Sequence, residues 1–117
     1  MFTRAAAAGG AQRSVQGDPV RISRVKYLIE RKLKRVSARL ASAREDLRIT
    51  QEHIRHFAEI ADDTHVRSLV SESPLDVHEH AEARGDLAGL VRRRDELVAE
   101  IARLERRQDE LLDAWNA

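Results

Sequence analysis

Residues 29–61, IERKLKRVSARLASAREDLRITQEHIRHFAEIA, decide the fold. Apolar or small side chains recur there at alternating steps of four and three, through Ile29, Leu33, Val36, Leu40, Ala43, Leu47, Ile54, Phe57 and Ala61. That heptad spacing belongs to a coiled-coil helix, whose a and d positions form one stripe. Extended backwards, the stripe takes in Lys26 and Ile22. A second stripe follows a polar break, through Ala83, Leu87, Leu90, Arg94, Leu97, Ile101, Leu104, Gln108, Leu111 and Trp115. Stripes of such similar length predict an all-α fold, an antiparallel two-helix coiled-coil hairpin. With the break centred near Leu69, facing residues have numbers that add to 137. Leu33 is then expected opposite Leu104, Val36 opposite Ile101, Leu40 opposite Leu97, and Leu47 opposite Leu90. Every layer matches an a position with a d position.

Composition agrees with a thin seam. The 117 residues are 35% charged and 3% aromatic, the balance of an elongated helical rod rather than a thick-cored globule. Cysteine is absent, which removes disulfides and thiolate metal sites and leaves the redox compartment open. The net charge of +1 hides a polarity: residues 1–48 carry 12 basic and 4 acidic side chains, whereas residues 49–86 carry 3 and 9. Arginine greatly outnumbers lysine and alanine is abundant, the bias of a high-GC bacterial genome.

Three zones follow along the chain. Residues 1–18 hold an alanine run, three glycines and no apolar period, and are expected to form a disordered leader. Ala5 to Ala8 is too short for a membrane span or a secretory core, so a cytoplasmic location is expected. The first helix is expected at 19–62, with Asp18 as cap and Pro19 at its first position. A connection is expected at 63–75, where the period fades. Ser73, Pro74 and Asp76 form a restart signal, and the second helix is expected at 76–115, so that 19–117 is one helical hairpin.

Polar residues within the stripes, Lys26, Thr50, Arg94 and Gln108, suit control of register, with Arg94 reaching to water over Ala43. Gly85 and Gly89 have the spacing of a membrane dimer motif. Their charged neighbours make them soft points instead, each costing about 1 kcal/mol relative to alanine. On the second helix Val77, Val91, Val98 and Leu112 occupy e positions and widen the apolar stripe beyond what one partner helix covers. A symmetric dimer of hairpins, making a four-helix bundle, is the simplest cover, with Val91, Val98 and Leu112 as the partner-binding residues.

Three constellations bear on chemistry. His53, His56, His65, His78 and His80 crowd between residues 53 and 80. His53, His56 and His80 are the metal candidates, because the register sets His80 opposite Phe57. The Glu-x-x-His and His-Glu-x-x-His patterns of diiron bundles and metalloproteases are absent, however, so neither metal nor cofactor is expected. The blander account is a solvated polar tip. Basic residues fill the first arm, and Arg31, Lys32, Lys34 and Arg35 could contact nucleic-acid phosphates. Tyr27 is the one aromatic among them, and a solvated helix face with pairs such as Glu30 and Lys34 explains the same stretch. Last, Asp62 and Asp63 are expected at an acidic tip.

A long antiparallel coiled coil with that acidic pair at its turn resembles the finger of the Gre-type transcript cleavage factors, which enter the secondary channel of bacterial RNA polymerase. The resemblance covers residues 22–115 in outline and lacks the globular domain of that family. It implies a transcription regulator whose Asp62 and Asp63 approach a Mg²⁺ ion held by the polymerase. The residues themselves favour a different reading, a non-enzymatic interaction or adaptor module that forms homodimers. No glycine-rich phosphate loop or nucleophile elbow is present, and a two-helix rod offers no enclosed pocket for a desolvated acid or base.

Overall fold

A computed structural model of the chain describes residues 19–71 and 73–117. The expected leader lies outside the described residues, as does its cap Asp18. Two helices account for the fold: α1, Pro19–Ser71, and α2, Pro74–Asn116. They pack along their lengths as an antiparallel hairpin. At 1.5 Å per residue the 53 residues of α1 extend about 80 Å. Such a rod holds together by burying its stripe, since isolated helices are marginal in water.

The expected end of the first helix at Asp62 and the connection at 63–75 are corrected. α1 continues for nine more residues, and the reversal lies between Ser71 and Pro74. Neither proline nor glycine occurs in 63–71 to stop it. The hydroxyls that blurred the period there are accommodated within the helix. Thr64 Oγ1 donates to the Ile60 carbonyl at 2.8 Å, Ser68 Oγ to that of His65 at 2.7 Å, and Ser71 Oγ lies 2.9 Å from that of Arg67. Only Pro74 imposes a break, because it disfavours helical backbone at the residue before it. Ser73 is accordingly extended, with φ −73° and ψ 135°, and caps α2 by accepting from the Leu75 N–H at 3.3 Å. Ser71 Oγ also meets the Asp76 carboxylate, tying the end of α1 to the first turn of α2. α2 therefore begins at Pro74, not at 76.

Moving the turn moves the register. Thr64 Oγ1 and His80 Nδ1 approach to 3.2 Å across the seam, so facing residues add to 144, one heptad beyond the expected 137. Arg44 with Glu105 at 3.5 Å and Arg67 with Glu79 at 3.7 Å flank layers of this same register. Leu33 then faces Leu111, Leu40 faces Leu104, Leu47 faces Leu97 and Ala61 faces Ala83. Arg94 lies opposite Thr50 rather than Ala43, and His80 opposite Thr64 rather than Phe57. Because the slip is a whole heptad, a still meets d in every layer and the same residues remain inside.

The core is narrow. Val36, Leu40, Ala43, Leu97, Leu104 and Leu111 are buried, with Ile29, Leu33, Leu47 and Ile101 packed against them. Leu40 and Leu97, each 1% exposed, are the large side chains most fully removed from water. Towards the turn the seam narrows to Ala61, Thr64 and Ala83, all buried. Small residues there let the helices close over a layer that carries little apolar area.

Candidate interaction surface

Two long faces flank the seam, and they differ in chemistry. On one, acidic and basic g positions from the two arms approach each other: Arg67 with Glu79, and Arg93 with Asp46 at 4.0 Å. These are solvent-exposed pairs that orient the arms and stabilise them little. The other face carries the e positions. Arg44 reaches Glu105 there, and Gln108 Nε2 donates to Ser37 Oγ at 3.2 Å. Between those contacts α2 presents a row along its whole length: Val77, Arg84, Val91, Val98, Glu105 and Leu112.

Val77, Val98 and Leu112 are 53%, 51% and 42% exposed, and Val91 is half-buried. A single hairpin leaves this row uncovered because α1 contacts only the a and d side of α2. The b positions beside it carry Ala81, Ala88 and Ala102, which keep the surface low, together with Asp95 and Asp109. Charged side chains interrupt the row at Arg84, at Glu105 and, between Val91 and Val98, at the Arg94–Asp95 pair, whose atoms lie 3.1 Å apart. The e face therefore has the composition of a second seam.

The two ends of the rod are also apolar. At the open end Lys26 Nζ sits 4.8 Å from the centre of the Trp115 ring and donates to the Trp115 carbonyl at 3.3 Å. Beyond it α1 overhangs α2, leaving Val20, Ile22 and Val25 exposed, and Leu28 is exposed on the outer side of α1. At the turn, Val66, Leu69, Val70 and Leu75 are exposed, Val70 by 80%. Placing the turn near Leu69 hid this apolar end; taking Pro74 as the sole breaker would have found it.

The acidic tip is corrected by the same change. Asp62 and Asp63 occupy b and c positions on the outer side of α1, and Asp62 is nine residues before its end, about 14 Å down the rod. The tip itself carries Asp76, which meets Ser71, and the apolar residues above. Among the metal candidates, His80 packs with Thr64 and His65, the two imidazole centres 4.9 Å apart. His53 and His56 lie two to three turns away on α1. His56 meets the edge of Phe57 at 5.6 Å, and no metal-holding cluster of three or more ligand residues forms among the described residues.

Arg31, Lys32, Lys34 and Arg35 are all exposed near the open end. Lys34 pairs with Glu30 at 3.3 Å, and Arg31 lies 5.9 Å from the centre of the Tyr27 ring. Their charges spread around the helix rather than lining one groove. No helix among the described residues is long and apolar enough to cross a membrane. Compared with known protein families, curated proteins and solved structures, the chain matches none.

Proposed function

We propose that the chain is a non-enzymatic coiled-coil interaction module that works as a homodimer, pairing through the e face of α2. The observation that carries this reading is the uncovered row of Val77, Val98 and Leu112, continued by Val91 and interrupted by Arg84, Glu105 and the Arg94–Asp95 pair. Burial of apolar side chains at about 25 cal/mol per Å² supplies the driving force. A second copy is the simplest partner because the same row is present on both. A bacterial source is the setting suggested by the arginine-rich composition.

The alternative, a regulator entering the polymerase channel, requires carboxylates at the end of a finger. Asp62 and Asp63 stand on its flank instead, which leaves the outline of the hairpin as that reading's support. Replacing both with alanine and measuring a transcription effect tests it: loss with helicity intact would favour it, and an unchanged effect would reject it.

Sedimentation equilibrium of the wild type and of Val91→Asp with Val98→Asp tests the homodimer. The wild type is expected at twice 13.3 kDa at tens of micromolar, and the variant at 13.3 kDa with unchanged helical circular dichroism. A wild type that stays monomeric throughout contradicts the proposal.

A further inference from the structure

We infer that the two copies lie tip to base, α2 against α2, about a two-fold axis crossing α2 between Arg94 and Asp95. This orientation rests on the homodimer reading above and specifies its partner surface residue by residue. The e row reads the same in both directions about that point. Val91 lies level with Val98 of a second copy, Val77 with Leu112, and Arg84 with Glu105. On the b positions Ala88 falls within one residue of the level of Ala102, Asp95 of its own copy, and Ala81 of Asp109.

A side-by-side dimer with both tips together would bury the same apolar residues, and apolar area does not choose between the two. Charge does. With the tips together, Arg84 meets Arg84 and Glu105 meets Glu105. With the copies reversed, each Arg84 meets a Glu105, and both contacts become attractive. Arg84 is exposed and makes no ion pair within its own hairpin among the described residues, so it is available for this contact. Glu105 already accepts Arg44 and would be shared between two arginines. At the axis the two Asp95 carboxylates approach, each with its own Arg94 guanidinium at 3.1 Å.

The whole rod points the same way. The open half, residues 19–48 and 96–117, has thirteen basic and nine acidic side chains, and the turn half, 49–95, has six and ten. One half is thus net +4 and the other −4. Tip-to-base packing lays each positive half along a negative one, within the range over which charges act at moderate salt. Tip-to-tip packing sets like against like along the full length.

The chain has no cysteine, so Val70→Cys provides a single labelling site at the exposed turn. With spin labels there, pulsed dipolar spectroscopy on the full-length dimer is expected to report about 60 Å, given some twenty residues from label to axis on each copy. A distance below about 30 Å, two helix-pair widths, overturns the tip-to-base orientation while leaving the homodimer standing. Arg84→Glu gives the second readout. Reversed copies then gain two Glu–Glu contacts and dimerise about tenfold more weakly, whereas copies with tips together exchange one repulsion for another and keep their affinity. Unchanged affinity also overturns the inference. A wild type monomeric at every concentration removes the homodimer reading itself, a result distinct from both.

Discussion

Thr64 Oγ1 and His80 Nδ1 lie 3.2 Å apart across the seam, on opposite arms and one layer inside the turn. Thr64 is 4% exposed, and its hydroxyl is bonded to its own helix through the Ile60 carbonyl. The pair marks where α1 is still helical and still facing α2, three residues beyond Ala61, where the plain apolar rhythm ends. Continuity of this last segment is therefore testable at its outer surface.

Val66 is 58% exposed on the solvent side of that segment. Val66→Pro removes a helical N–H bond and clashes with the carbonyl four residues earlier, at a cost of about 3 kcal/mol. A flexible connection would absorb the same change almost freely. Thermal or denaturant unfolding of the variant is expected to show the full loss.

Gly85 and Gly89 lie on the outer side of α2, and a methyl group at either position enters open space or ordinary contact. At Gly85 nothing lies within 4 Å, and at Gly89 the nearest atom is the flexible end of Arg92 at 3.7 Å. Each change to alanine should stabilise the hairpin by about 1 kcal/mol. Were the glycines needed for close helix approach, the same substitutions would destabilise it, so denaturant midpoints decide.

Leu40 and Leu97 have no spare neighbours in a core one layer wide. Leu40→Ala or Leu97→Ala should each cost about 2 to 5 kcal/mol, the range for a buried leucine. Ile49→Ala, at a partly exposed outer position, should cost much less. Comparable losses at all three positions would mean that the seam is elsewhere.

Arg48 forks onto Glu45 at 2.6 and 3.0 Å and onto Glu52 at 2.7 Å. The hydrogen bond from Arg48 holds the Glu45 carboxyl below its ordinary range, and Glu45 in turn raises the guanidinium. A carboxyl whose folded value is depressed adds stability above its unfolded value and loses it as pH falls through the folded one. Arg48→Ala should move the Glu45 carboxyl titration, followed by NMR, to higher pH. It should also lower thermal stability at neutral pH by an amount that vanishes in acid. The pair is solvent-exposed, so the effect is expected to be small.

The all-α hairpin and the identity of the buried side chains were legible in the sequence because Leu33, Leu40, Leu47, Leu97 and Leu104 keep strict heptad spacing. Their pairing was not. A heptad slip leaves every a opposite a d, so hydrophobic spacing alone cannot separate facing sums of 137 and 144. What separates them is the position of the turn, and Thr64, Ser68 and Ser71 disguise it. Their hydroxyls bond back to their own helix, which lets polar residues hold seam positions and makes a continuing helix resemble a loop. The e row, Val77 to Leu112, was visible as excess apolar width. The pairing of Arg84 with Glu105 required knowing which face α1 leaves open.

The register is the claim on which the turn, the two faces and the outer row depend, and a disulfide tests it most directly. In this cysteine-free chain, Ala61→Cys with Ala83→Cys places two thiols in one layer if facing residues add to 144. Disulfides demand Cα separations of about 4.4 to 6.8 Å, so a heptad slip of about 10 Å forbids the bond. Mild oxidation of the monomeric variant should give rapid intramolecular closure and a raised melting temperature. Failure to close, together with ready closure of Ala43→Cys with Arg94→Cys, would contradict the account.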